Sequence, residues 1–156
     1  MTSPIPSGFH SLTPGIIVDG AARALDFYER AFGAEVTLRL TMGDLVAHAE
    51  VRIGDSMVYV NDPMPDLGLV APAADRDAWP SSLLIYCEDA AALHARAVAA
   101  GATEIHPVAD QFHGDRVGSL RDPFGHRWII ATRIEDMSAE EMQVRLDAWM
   151  AQGAAH

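Results

Sequence analysis

The stretch HGDRVGSLRDPFGHRW, residues 113–128, decides how this chain folds. DRVGSLRD (115–122) and HRWIIATRI (126–134) are two strand-like runs on either side of DPFG (122–125). That tetrapeptide has proline at the second turn position and glycine at the fourth, as a type I turn prefers. The stretch therefore reads as a β-hairpin. It also carries two histidines, three arginines and two aspartates, which suits the polar rim of a hairpin and an active site equally well. What surrounds it decides between them.

Working outward, ATEIHPVAD (102–110) reads as a strand whose proline makes it bent or an edge strand. EDAAALHARAVAAG (88–101) is an alanine-rich helix with Asp89 as N-cap and Gly101 as its terminating glycine. SSLLIYC (81–87) is a further strand. The same order occurs earlier. LTPGIIV (12–18) is a short strand. GAARALDFYERAFG (20–33) is a helix whose Ala21, Ala24, Leu25, Tyr28 and Phe32 share one face, closed by Gly33. AEVTLRLT (34–41), DLVAHAEVRIG (44–54) and SMVYVN (56–61) alternate as an antiparallel meander. Gly33 and Gly101 lie 68 positions apart, and Gly54 and Gly125 lie 71 apart. The spacing predicts an internal duplication of a strand–helix–strand–strand–strand unit.

The expected organisation is an arm (1–11), a first unit (12–61), a linker with four prolines (62–80), a second unit (81–135) and a C-terminal segment (136–156), all in one compact domain. In the last segment SAEEMQVRLDAWM (138–150) is a helix opened by a Ser138–Glu141 capping box. It is expected to pack on the sheet or on a partner.

A net charge of −11 repels nucleic acid and anionic lipid and favours cationic partners, besides aiding solubility. One cysteine, Cys87, allows no internal disulfide; in its apolar run it reads as buried and inert. The N-terminus lacks the pattern of a signal peptide, and no apolar run is long enough to span a bilayer. The expected location is the cytoplasm.

Four stretches carry a resemblance: ARALDFYERAFGAE (22–35), HAEVRIGDSMVYVND (48–62), ARAVAAGAT (95–103) and DQFHGDRVGSLRDPFGHRWIIAT (110–132). Two βαβββ units carrying these motifs resemble the vicinal-oxygen-chelate superfamily of glyoxalase I, bleomycin-resistance proteins and extradiol dioxygenases. The last stretch resembles a glyoxalase-like subgroup with an aromatic-Gly-Asp-Arg loop before an Arg-Asp-Pro-Phe-Gly-His turn. The resemblance implies an α+β fold: tandem modules forming a curved eight-stranded mixed sheet around a cavity, with helices on the convex side. It also implies a homodimer, often with the cavity completed across the interface.

Metal-dependent members place four ligands on the concave face. Carried over, these positions fall at or near Thr13, Ser82, Tyr59 and Ile129. None is histidine or glutamate, and isoleucine has no lone pair to offer. No cofactor is therefore expected, although a noncanonical metal site on His48 and Glu50 stays open.

His48, Glu50 and Arg52 share a strand face opposite Ala47, Ala49, Val51 and Ile53. Imidazole and carboxylate two residues apart can serve as an acid–base pair, or simply hydrogen-bond within a polar sheet face. Phe112 and Arg116, with Asp115, mark the Gly-Asp-Arg loop. Arg116 can grip a carboxylate or phosphate, or pin the loop through Asp115 or Asp110. By strand parity Thr13, Tyr59, Asn61, Ser82, Tyr86 and Ile129 line the cavity, whereas Trp128 belongs to the core. His94 is expected at the surface or in dimer packing, and His126 on the turn. His10, His106 and His113 show no ligand spacing, and the terminal His156 is expected to be disordered.

Three functions follow. The first is capture of an aromatic or cationic small molecule without the usual metal, as in the bleomycin-resistance branch. The second is a lyase- or isomerase-type enzyme using His48 and Glu50, or a metal at an unusual position. The third is a vestigial cavity on a protein that acts through its dimer surface.

Overall fold

The computed structural model describes residues 1–153; His156 lies outside them. The elements are β1 (Gly15–Ile17), α1 (Ala21–Phe32), β2 (Glu35–Met42), β3 (Leu45–Ile53), β4 (Ser56–Asn61), β5 (Leu83–Tyr86), α2 (Ala90–Ala100), β6 (Thr103–Asp110), β7 (Asp115–Arg121), β8 (Arg127–Arg133) and α3 (Ala139–Ala151). The architecture is α+β, with eight strands in two sheets of four ordered β1-β4-β3-β2 and β5-β8-β7-β6. In each sheet one edge strand pairs parallel with its neighbour (β1 with β4, β5 with β8) and the other pairs are antiparallel.

The duplication is visible in the registers. Gly15 pairs with Tyr59 in one sheet and Leu84 with Ile129 in the other, so Tyr59 and Ile129 occupy corresponding places. β1 is shorter than the 12–18 run because Pro14 has no N–H to give; its carbonyl still accepts from Tyr59 N at 2.9 Å.

Both helices bury one face. α1 packs on β2, β3 and β4, and α2 on β6, β7 and β8, while α1 and α2 touch each other. Ala49, Val51, Val58 and Val60 form the floor under α1. At the join Phe27, Tyr28 and Phe32 of α1 meet Phe124 and Trp128, with ring centroids 4.8–6.5 Å apart. Trp128 is fully buried there, as its parity requires.

The hairpin turn holds the hub of this join. Asp122 is buried and accepts four hydrogen bonds. Its Oδ2 takes Tyr28 Oη–H at 2.6 Å and Trp128 Nε1–H at 2.8 Å. Its Oδ1 takes the backbone N–H of Phe124 and of His126, both at 2.9 Å. Burial, and then the neighbouring carboxylate, push the Tyr28 phenol well above its usual range, so it remains a donor.

Two histidines sit elsewhere than the sequence suggests. The His126 ring leaves its own turn and bonds the Ile17 carbonyl in β1 at 2.7 Å. His94 is buried rather than at the surface, because Gly118 of β7 leaves room for it: a Cβ there would lie 2.8 Å from the imidazole. The linker is an ordered cover over the hairpin tip. Trp79 Nε1 donates to the Gly125 carbonyl at 2.8 Å, and Arg121 donates to the Arg76 carbonyl at 3.0 Å. Gly125 has φ +95°, and a Cβ there would collide with the Ala73 carbonyl, so the linker can lie this close only over glycine. α3 has the expected Ser138–Glu141 capping box but buries no residue. It is tethered by Trp149 against Phe112, with centroids 5.8 Å apart, and by the Arg145–Glu135 pair.

Tyr28→Phe removes one donor from Asp122 and keeps the ring. It is expected to lower the unfolding free energy by about 1–3 kcal/mol in urea titrations at neutral pH. Asp122→Ala leaves four donors without their acceptor and is expected to cost more.

Candidate functional site

The two sheets leave a cleft of about 760 Å³ between them. One wall is the arm (His10, Leu12, Thr13, Pro14) with the β3–β4 turn (Ile53–Val58). The other is Ser82 with β5 (Leu83–Tyr86), and Trp128 reaches the cleft from the core. The walls are mainly apolar, with Asp55 as their one carboxylate and no lysine or arginine. Such a cavity suits a small organic molecule.

The structure distributes the predicted site residues over three places. Thr13, Ser82 and Tyr86 line the cleft. His48, Glu50 and Tyr59 form a second group on the helix-free face of the first sheet. There His48 Nε2 is 3.4 Å from Glu50 Oε1, and the His48 ring meets Tyr59 edge-on with centroids 4.5 Å apart. Phe9 of the arm covers Tyr59 at 6.0 Å. Arg52 is held by Glu35 at 3.1 Å, both exposed. Asn61 is buried, and its amide donates to the Asp62 carbonyl at 2.8 Å. Ile129 is half-buried beside Leu84.

The third place is the helix-free face of the second sheet. The Asp115 side chain is only 5% exposed. It accepts from Tyr86 Oη–H at 2.7 Å and from Arg133 Nε–H, with His113 Nδ1 at 3.6 Å. Burial alone would raise the Asp115 carboxyl; the bonds from Tyr86 and Arg133, and the Arg133 charge, outweigh it and hold the group below the ordinary range. Arg133 was not singled out in the sequence, because its link to Asp115 runs across paired strands. Arg116 is one residue on and so points to the opposite face, the side where Gly118 meets His94 of α2. It forms a two-pronged pair with Asp110 at 2.7 and 3.3 Å. It pins the loop through Asp110 and stands apart from the Asp115 cluster. Phe112 packs on His113 and Trp149, away from the cleft.

The four positions that the resemblance gives to metal ligands are occupied by two hydroxyl residues, a phenol edge-on to His48, and an isoleucine. These side chains do not fit a divalent cation. Among the described residues no three His, Cys, Asp or Glu side chains converge in a way that could hold a metal. No helix of the described residues is long and apolar enough to cross a membrane.

Comparison with known proteins agrees with this fold. The family model "Glyoxalase/Bleomycin resistance protein/Dioxygenase superfamily" matches residues 8–130. An uncharacterized protein of Mycobacterium bovis is 33% identical over 141 residues, covering 88% of this chain and 93% of its own. The solved structure of TioX from Micromonospora sp. superposes with TM-score 0.63 at 23% identity, over 80% of this chain and 99% of the other. A gene product of Arabidopsis thaliana superposes with TM-score 0.61 at 29% identity, over 79% and 98%.

The Asp115 cluster has a definite pH signature. A carboxyl held below its unfolded value stabilises the fold above the unfolded value, and this contribution fades as pH falls through the folded one. Asp115→Asn is therefore expected to lower Tm at pH 7. Its deficit against the wild type should narrow as the pH falls through and below the ordinary carboxylate range, as read by thermal melts across pH.

Proposed function

The chain belongs to the glyoxalase/bleomycin resistance protein/dioxygenase superfamily, and from that we propose that it captures an aromatic or cationic small molecule without using the superfamily's usual metal positions. The observation that carries this reading is the cleft: about 760 Å³ of mainly apolar wall with one carboxylate, Asp55, and no lysine or arginine. Apolar walls reward an aromatic body, and the net charge of −11 draws cations toward the protein. The side chains at the four inherited positions support capture over metal-assisted conversion, since they lack the donors that such chemistry needs. We also propose a cytoplasmic homodimer. Exposed Leu38, Leu40, Met42 and Leu45 at the β2–β3 hairpin support the dimer, because they form an apolar strand edge that water does not favour.

An N-methylquinolinium cation serves as a probe that is aromatic, charged and free of N–H groups. It is expected to raise Tm in proportion to the logarithm of its concentration above Kd. Ser82→Trp, which fills the mouth, should abolish the shift while leaving the far-ultraviolet dichroism unchanged. No shift at millimolar probe would overturn the capture reading.

A second reading rests on the contact between His48 and Glu50 beside Tyr59. Imidazole and carboxylate within reach of each other can pass a proton to and from a bound molecule. In this reading the protein turns over a glyoxalase-type hemithioacetal, and His48→Ala lowers kcat at least 100-fold. Undetectable turnover, with and without added Zn, Ni, Mn or Fe, removes it.

A further inference from the structure

The cleft touches five consecutive residues, Ser82–Tyr86. Successive side chains of a strand point to opposite faces. A single cavity that meets all five therefore runs along the strand's edge rather than over one face. β5 has one ladder among the described residues, with β8. In a parallel ladder backbone groups alternate between the two edges. Cys87 N–H donates to the Ala131 carbonyl of β8 at 2.9 Å, which sets the phase. Leu83 and Ile85 address β8, and Leu84 and Tyr86 turn their N–H and C=O toward the cleft. The facing wall does not pair with them: Pro14 has no N–H, and its carbonyl already accepts from Tyr59.

Within the capture reading, on which this step rests, we infer that the cleft binds an extended, amide-bearing ligand that adds to β5 as a short strand. Leu84 and Tyr86, both exposed, provide two donors and two acceptors at strand spacing. Ser82 to Tyr86 spans about 13 Å, enough for a ligand of three or four peptide-like units. Leu12, Ile53 and Met57 supply apolar contact opposite, and Asp55 offers the cleft's carboxylate to a cationic group. The main chain of the ligand provides affinity, and its substituents provide selection.

The probe is the capped tetrapeptide acetyl-Val-Lys-Val-Val-amide, with two analogues N-methylated at residues 1 and 3 or at residues 2 and 4. The parent is expected to slow hydrogen exchange at the Leu84 and Tyr86 amides, leaving Leu83 and Ile85 unchanged. One N-methylated analogue should bind at least 10-fold more weakly, and the other within 3-fold of the parent. Leu84→Pro removes an edge donor without touching the β8 ladder. It should abolish peptide binding, with Leu84→Ala as the control that retains the N–H. If Leu84→Pro does not fold, the pair of N-methylated analogues decides.

If the quinolinium binds and the peptide does not, or both analogues bind like the parent, the edge inference falls and the capture reading stands. If neither probe binds, both fall. A dimer that Leu84→Pro dissociates in the absence of ligand would assign the edge to a second copy and overturn the inference.

Discussion

One buried carboxylate sits at the centre of the join between the two halves of this molecule. Asp122 lies at the tip of the second unit's hairpin, yet one of its strongest partners is Tyr28, 94 residues away in the first unit's helix. Four donors converge on its two oxygens, and all of them lie in or beside the aromatic join. A buried carboxylate with its donors in place is a rigid fixture; the same group with one donor missing becomes a liability. The interaction therefore does more than add stability. It sets where the second sheet stands relative to α1, and so how far the free edge of β5 stands from the arm and the β3–β4 turn. The cleft exists at its present width because the join behind it does not slide.

The duplication has a counterpart in this economy of polar groups. Asp62, just past β4, accepts the backbone N–H of Gly20 and Ala21 at the start of α1, and of Val46 in β3. Thr132, 70 positions later, accepts the N–H of Ala90 at the start of α2. Each unit thus caps its crossover helix from the end of its last strand, once with a carboxylate and once with a hydroxyl. The caps differ because the second helix has an N-cap of its own in Asp89, which accepts from Ala92. The first helix begins at Gly20, which has no side chain to offer. Equivalent backbone demands are met by different chemistry.

This difference explains what could be read in the sequence and what could not. Strand alternation in 44–54, the helix face of Ala24, Leu25 and Tyr28, the terminating glycines and the DPFG turn are all local signals, and each element stands within a few residues of where they put it. His48 and Glu50 were legible as neighbours because two residues on one strand must share a face. Asp122 was legible as a turn residue and no more, since its role depends on Tyr28, and nothing local in Tyr28 distinguishes a packed ring from a donor. His94 and His126 were misplaced for the same reason. The first is set by Gly118 on another strand, and the second by the carbonyl of Ile17. Arg116 looked like the charged group of its loop. A one-residue step of parity turned it outward and left Asp115 to meet Tyr86 and Arg133 instead.

The open edge of β5 follows from a conflict between symmetry and sequence. Two equivalent units side by side would place their first strands near each other, and two such edges can close into one continuous sheet when both have donors and acceptors to exchange. Here one partner cannot. Pro14 precedes a β1 of only three residues, its nitrogen carries no hydrogen, and its carbonyl is already engaged by β4. The second unit has no proline at the equivalent place: SSLL runs straight into β5. The mismatch leaves hydrogen-bonding capacity on one side of an otherwise apolar cleft. In a structure that satisfies Asp62, Asp115 and Asp122 so fully, an unpaired strand edge facing an apolar cleft is the place where a ligand's hydrogen bonds gain the most, because there they displace only water.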